Sequence, residues 1–142
     1  MEKAVLLTIS SIQQFEEEAP ETTELVTAGT MRILDDAIEL SYAETELTGL
    51  QGTRTDFRVE QNRVVLSRSG AVESRMTFVP GQEDLSLYDV GYGALMIQLR
   101  TEGICCDLTE EGGTLTVSYT IVIEEKATGC ITYEIRVQPL AG

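Results

Sequence analysis

Apolar and polar residues alternate along most of this chain, and the alternation is cleanest toward its end. Leu115, Val117, Tyr119, Ile121 and Ile123 occupy one phase, with Thr116, Ser118, Thr120 and Val122 in the other. After a turn at Lys126 to Thr128, Ile131, Tyr133, Ile135 and Val137 alternate with Thr132, Glu134 and Arg136. Successive side chains of a strand point to opposite faces, so each stretch predicts a strand with one apolar face.

The same rhythm holds upstream. Ala4 to Gln13 predicts a first strand with Val5, Leu7 and Ile9 on one face. The acidic, Pro20-containing connection after it reads as a solvated loop with room for a short helical turn. Glu24 to Leu34 predicts a second strand, in which Gly29 suggests a bulge or bend. Asp35-Asp36 turns the chain into Ala37 to Glu44. Thr53 to Glu60 follows, then a tight Gln61-Asn62 turn into Arg63 to Ser67. Ser69-Gly70 leads to Val72 to Val79, and Pro80-Gly81 ends that strand. Asp84 to Val90 and Ala94 to Thr101 flank Gly91-Tyr92-Gly93, and Gly112-Gly113 signals a hairpin before the strand that starts at Thr114. Turn signals recur about every 8 to 12 residues with no helical period between them, which predicts an all-β sandwich or barrel. Sequential hairpins favour a closed antiparallel up-and-down barrel over a sandwich, and closure hides sheet edges that such apolar strands leave exposed.

Composition narrows the function more than the fold. At 142 residues the chain is sized for one domain with its own core. Its 24 acidic residues outnumber 10 basic ones, for a net charge of −14, which disfavours nucleic acid and anionic membrane surfaces. No apolar run approaches the roughly 20 residues that cross a bilayer. Thr8, Ser10 and Ser11 interrupt the apolar N-terminal run, which reads as a strand rather than a signal peptide. A cytoplasmic protein is expected. The three cysteines, Cys105, Cys106 and Cys130, make no disulfide framework, and reduced thiols are the expectation.

Several short segments together resemble the YwiB-like family of bacterial proteins, a calycin-type β-barrel catalogued as a domain of unknown function. They are Thr27-Ala28-Gly29, Leu40-Ser41-Tyr42, Leu66 to Gly70, Met76-Thr77-Phe78 with Gly81, Leu87 to Gly93, Thr101, and the strand from Gly113 to Tyr119. Val90-Gly91 stands where the family tends to carry Thr-Pro, so a rigid proline turn is not expected there. The resemblance implies a lipocalin-like barrel of about eight strands, wide enough for side chains or one small ligand. It implies no established activity.

The chain has no histidine, which removes Ser-His-Asp and Cys-His catalysis and the usual zinc and haem ligands. Cys105 and Cys106 point to opposite faces of one strand and do not readily clasp a metal together. Gly91-Tyr92-Gly93 lacks the strand-to-helix setting of a phosphate cradle. No cofactor or metal site is expected, and an enzyme is the less favoured reading.

Polar residues in the apolar phase are more informative. Tyr42 and Glu44 share a face with Ile38 and Leu40, Arg68 with Val64 and Leu66, and Tyr119 and Tyr133 lie on the inward faces of their strands. A charge aimed into a barrel is paired, solvated or liganded. One reading is a pocket in which Arg68 holds an anionic group, Tyr42, Glu44, Tyr119 and Tyr133 line the site, and apolar ligand mass rests on Leu66, Met76, Phe78, Tyr119 and Ile121. The other is a filled barrel, with Arg68 emerging at the rim beside Glu44, that serves as a structural or protein-interaction module.

Overall fold

The computed structural model describes residues 2–15, 19–44, 51–71, 73–89, 94–123 and 126–140. Ten strands follow one another: β1 (Glu2–Phe15), β2 (Glu21–Ile33), β3 (Ile38–Ala43), β4 (Thr53–Glu60) and β5 (Arg63–Gly70), then β6 (Glu73–Phe78), β7 (Glu83–Asp89), β8 (Ala94–Cys106), β9 (Gly113–Ile123) and β10 (Lys126–Pro139). Each pairs antiparallel with its neighbour in sequence, and β1 pairs with β10 to bring the sheet back on itself. The result is an antiparallel up-and-down barrel, nearly closed. Among the described residues β6 and β7 pair least, through Glu73 with Asp89 and Ser74 with Tyr88.

The barrel has ten strands, not about eight. β3 and β6 are the shortest at six residues each, and β4 and β5 are separated only by Gln61 and Asn62. Barrel diameter grows with strand number, so ten strands enclose a wider interior than eight and need bulkier side chains to fill it.

That interior is built from the predicted alternation. Val5, Leu7, Met31, Leu40, Phe57, Leu66, Phe78, Leu99, Leu115, Val117, Ile135 and Val137 belong to one continuous buried cluster. At about 25 cal/mol per Å² of apolar surface removed from water, this section supplies the main driving force for closure. Gly29 differs from expectation. The β1–β2 register runs through it without a shift, so it is no bulge. A Cβ there would lie 2.6 Å from both Leu7 Cδ1 and the Ser41 carbonyl oxygen, and glycine lets the strands approach that closely. The register shifts fall instead between Thr101 and Gly103 and between Ala127 and Gly129. The Gly112-Gly113 hairpin is as expected: both residues hold positive φ, +103° and +135°, where other residues are strained.

The two ends of the barrel differ. The β2–β3, β4–β5, β6–β7 and β8–β9 connections leave from one end, called here the turn end, and the β1–β2, β3–β4, β5–β6, β7–β8 and β9–β10 connections from the other, the mouth.

Candidate functional site

The inward residues nearest the mouth are polar on one strand after another. Tyr42 lies near the end of β3 and Glu44 just past it, Thr53 and Thr55 begin β4, Arg68 lies near the end of β5 and Ser74 near the start of β6. All six are buried. Register explains their meeting. Tyr42 lies opposite Thr55, Thr55 opposite Arg68, and Arg68 opposite Ser74, so one row of side chains crosses four strands. On the far wall Ser11 of β1, also buried, lies opposite Tyr133 of β10.

Two opposite charges anchor this cluster. Glu44 is only 6% exposed and accepts a 2.8 Å hydrogen bond from the Thr55 hydroxyl. Tyr42 also donates to Glu44, and its phenol is held far above the ordinary tyrosine value. Burial is the largest cause, and the adjacent Glu44 charge and hydrogen bond add to it, while the Arg68 guanidinium opposes them. Arg68, 9% exposed, reaches across the interior so that Nη2 donates to the Tyr133 hydroxyl at 3.4 Å. That length marks a loose contact, beyond the usual 2.7–3.2 Å range. Arg68 does not emerge at the rim. Burial keeps it inside.

Beneath the charges, aromatic rings cross the interior. Phe78 and Tyr119 have centroids 4.7 Å apart, Tyr119 stacks on Tyr133 at 6.3 Å, and Tyr133 meets Phe57 edge-on at 6.4 Å. These four side chains span the width that ten strands create. They also occupy the level at which apolar ligand mass was expected against Leu66, Met76 and Phe78, all of which are buried in the core.

Three further hydroxyls face the mouth. Ser11 Oγ, Thr53 Oγ1 and Ser74 Oγ are buried and have no hydrogen-bond partner among the described residues. Such groups usually find a partner, because leaving one unsatisfied costs about 1–3 kcal/mol. From the side, a cleft of about 290 Å³ opens where β2 and β3 part beyond the Thr30–Ser41 pair. Gly29, Thr30, Ser41, Tyr42 and Arg54 line it. Tyr42 is thus common to the outer cleft and the inner cluster.

The five residues singled out from sequence, Tyr42, Glu44, Arg68, Tyr119 and Tyr133, come together through these contacts. Thr53, Thr55, Ser74 and Ser11 escaped notice, although each stands in the apolar phase of its strand. A small hydroxyl at an inward position is a weaker signal than a charge. Gly91-Tyr92-Gly93 lies outside the described residues. Cys105, Cys106 and Cys130 are free thiols and exposed. Among the described residues no group of three or more Cys, Asp or Glu side chains is placed to hold a metal ion. No helix among them is long and apolar enough to cross a membrane.

Residues 7–135 match the family described as Domain of unknown function (DUF1934). The chain belongs to that family. A relative within reach of this DUF1934 chain is the Uncharacterized beta-barrel protein YwiB of Bacillus subtilis (strain 168). It is 30% identical over 118 residues, which are 80% of this chain and 82% of that protein. The crystal structure of the ywiB protein from Bacillus subtilis matches with a TM-score of 0.81 at 26% identity, over 95% of this chain and 92% of that one. The family resemblance read from the short motifs is therefore correct, and the ten-strand barrel is the architecture this DUF1934 chain carries it on.

Proposed function

We propose that this protein is a non-catalytic binder of a small amphipathic or anionic molecule, seated at the barrel mouth with its anionic group against Arg68. The carrying observation is the set of buried hydroxyls, Ser11, Thr53 and Ser74, that have no hydrogen-bond partner among the described residues, beside a buried guanidinium. Water or a ligand meets the need such groups have for hydrogen bonds. Arg68 supplies a buried charge-assisted donor to such a site. The aromatic rings close the floor, and Tyr42 of the mouth also borders the separate cleft lined by Gly29, Thr30, Ser41 and Arg54. A cytoplasmic setting fits the reduced thiols, and a small metabolite is the natural occupant there.

A second reading, an interaction module with a filled barrel, draws on the same aromatic plate, because rings packed across the interior also make a sound structural core. Native mass spectrometry of the protein isolated from a bacterial cytoplasm separates the two. The binder reading expects a co-purifying small mass on the wild type that is missing from Arg68→Ala. Equal loading of both proteins, or a bare wild type that also shows no thermal stabilisation by small carboxylates, favours the interaction module.

A further inference from the structure

Closure of the barrel leaves part of one strand unpaired along one side. β2 pairs with β1 from Glu21 to Arg32 without a register shift, but its ladder with β3 runs only from Ile33 to Thr30. From Glu21 to Gly29, β2 therefore has a strand neighbour on one side alone among the described residues. The cleft between Gly29 and Tyr42 is where this open edge begins. The hairpin fixes which backbone groups face it. Leu34 N–H donates to the Ala37 carbonyl across the β2–β3 turn, so even-numbered residues of β2 bond toward β3 and odd-numbered ones toward β1. Carried along the strand, this alternation turns the N–H and C=O of Glu24, Val26 and Ala28 to the open side. Among the described residues the Ala28 carbonyl accepts a long 3.3 Å bond from the hydroxyl of its neighbour Thr27, not from a strand.

Soluble proteins blunt such edges with Lys, Pro, bulges or inward-pointing charges, because an unguarded edge pairs with another chain. Between Glu21 and Gly29 there is no Lys and no Pro, the register is unbroken, and the two charges, Glu21 and Glu24, are exposed. Thr22, Thr23, Val26 and Thr27 are β-branched and favour an extended chain, and Val26 is 55% exposed. Charge decides which chain fits. A second copy carries another net charge of −14, and antiparallel pairing of two such edges about Glu24 or Leu25 brings both Glu24 carboxylates near one another. A strand with Lys or Arg opposite Glu24 and a branched apolar residue beside Val26 is favoured at both positions.

We propose that the open edge of β2 docks an extended basic segment of a partner protein, which adds as a strand through main-chain hydrogen bonds to Glu24, Val26 and Ala28. The edge is separate from the buried Arg68 cluster, so this docking does not depend on a ligand at the mouth.

The test is calorimetric titration of the full chain with a capped heptapeptide of alternating valine and lysine, and with the same peptide N-methylated at every residue. The methylated peptide keeps its charge and loses its donors. It is expected to bind at least about tenfold more weakly, the scale of one or two backbone hydrogen bonds. Val26→Pro removes an N–H on the open side and spares the ladder to β1, a substitution that edge strands accept. It is expected to weaken the unmethylated peptide by a similar factor, with urea midpoints confirming the fold. Glu24→Lys, which touches no backbone group, is expected to weaken it about two- to fivefold. Amide hydrogen exchange locates the contact: Leu25 and Thr27 are expected to be protected in the free protein, and Glu24 and Val26 only with peptide bound. Protection of Glu24 and Val26 without peptide overturns the inference. If that protection rises with protein concentration and a dimer sediments, the occupant is a second copy and not a basic partner. Equal binding of the methylated peptide, binding untouched by Val26→Pro, or no binding at all also overturns it.

Discussion

Along the strands from β3 to β6, the inward side chains change in kind between the turn end and the mouth. On β5, Val64 and Leu66 are followed by Arg68, and on β4, Val59 and Phe57 give way to Thr55 and Thr53. Along β3, Leu40 gives way to Tyr42 and, just past the strand, Glu44, and toward the mouth on β6, Phe78 and Met76 give way to Ser74. Backbone pairing is the same in both sections, and so is the inward phase. The apolar section, called here the waist, is what a barrel needs in order to close, since burial of Phe57, Leu66 and Leu115 drives the sheet together. The mouth is something the fold tolerates. Buried polar groups with incomplete partners are a net cost, so their grouping on adjacent strands points to a purpose other than stability.

The largest expected effect lies at the waist. Phe57 is almost fully buried and meets Tyr133 edge-on. Phe57→Ala is expected to destabilise the protein by about 3–5 kcal/mol, read as a drop in urea midpoint. Because the rings form the floor of the site, this variant is also expected to weaken any ligand bound at the mouth. A loss below about 1 kcal/mol would mean that the waist and mouth do not differ in the way drawn here.

A smaller effect at the mouth carries a signature in pH. Burial and Glu44 raise the Tyr42 value above that of the unfolded chain, which is about 10. The unfolded chain therefore releases this proton first. The contribution to stability is full below about pH 10 and is lost as the pH rises beyond it. Tyr42→Phe removes that dependence. The wild type is expected to lose stability more steeply than the variant above about pH 10, although the variant is about 1 kcal/mol less stable at neutral pH for want of the bond to Glu44. Parallel urea titrations between pH 8 and 11 check both parts, and equal alkaline slopes would remove Tyr42 from the buried cluster.

Much of this was legible in the chain itself. The alternation from Leu115 to Val137 specifies β9 and β10 and their inward faces, and polar residues in the apolar phase reveal the mouth through Tyr42, Glu44 and Arg68. Strand number was legible too. The strands read one by one amount to ten, and only the size implied by the family resemblance suggested about eight. Other features depend on what lies across the barrel. The role of Gly29 is set by Leu7 and by the carbonyl of Ser41, from other strands. The aromatic plate joins β4, β6, β9 and β10, and no local pattern shows that Phe78 reaches Tyr119. Thr55 and Ser74 read as ordinary strand residues until register sets them beside Arg68.

The difference between waist and mouth is tested most directly by making the mouth as apolar as the waist. The measurement is the unfolding free energy, by urea denaturation, of the combined variant Tyr42→Phe, Glu44→Leu, Thr55→Val, Arg68→Met. Replacing a buried polar set as a whole by apolar side chains of similar volume is often neutral or stabilising by about 1–4 kcal/mol. The account predicts a variant at least as stable as the wild type, with no ligand bound. A loss of several kcal/mol would contradict it and make the polar mouth part of what holds the barrel together.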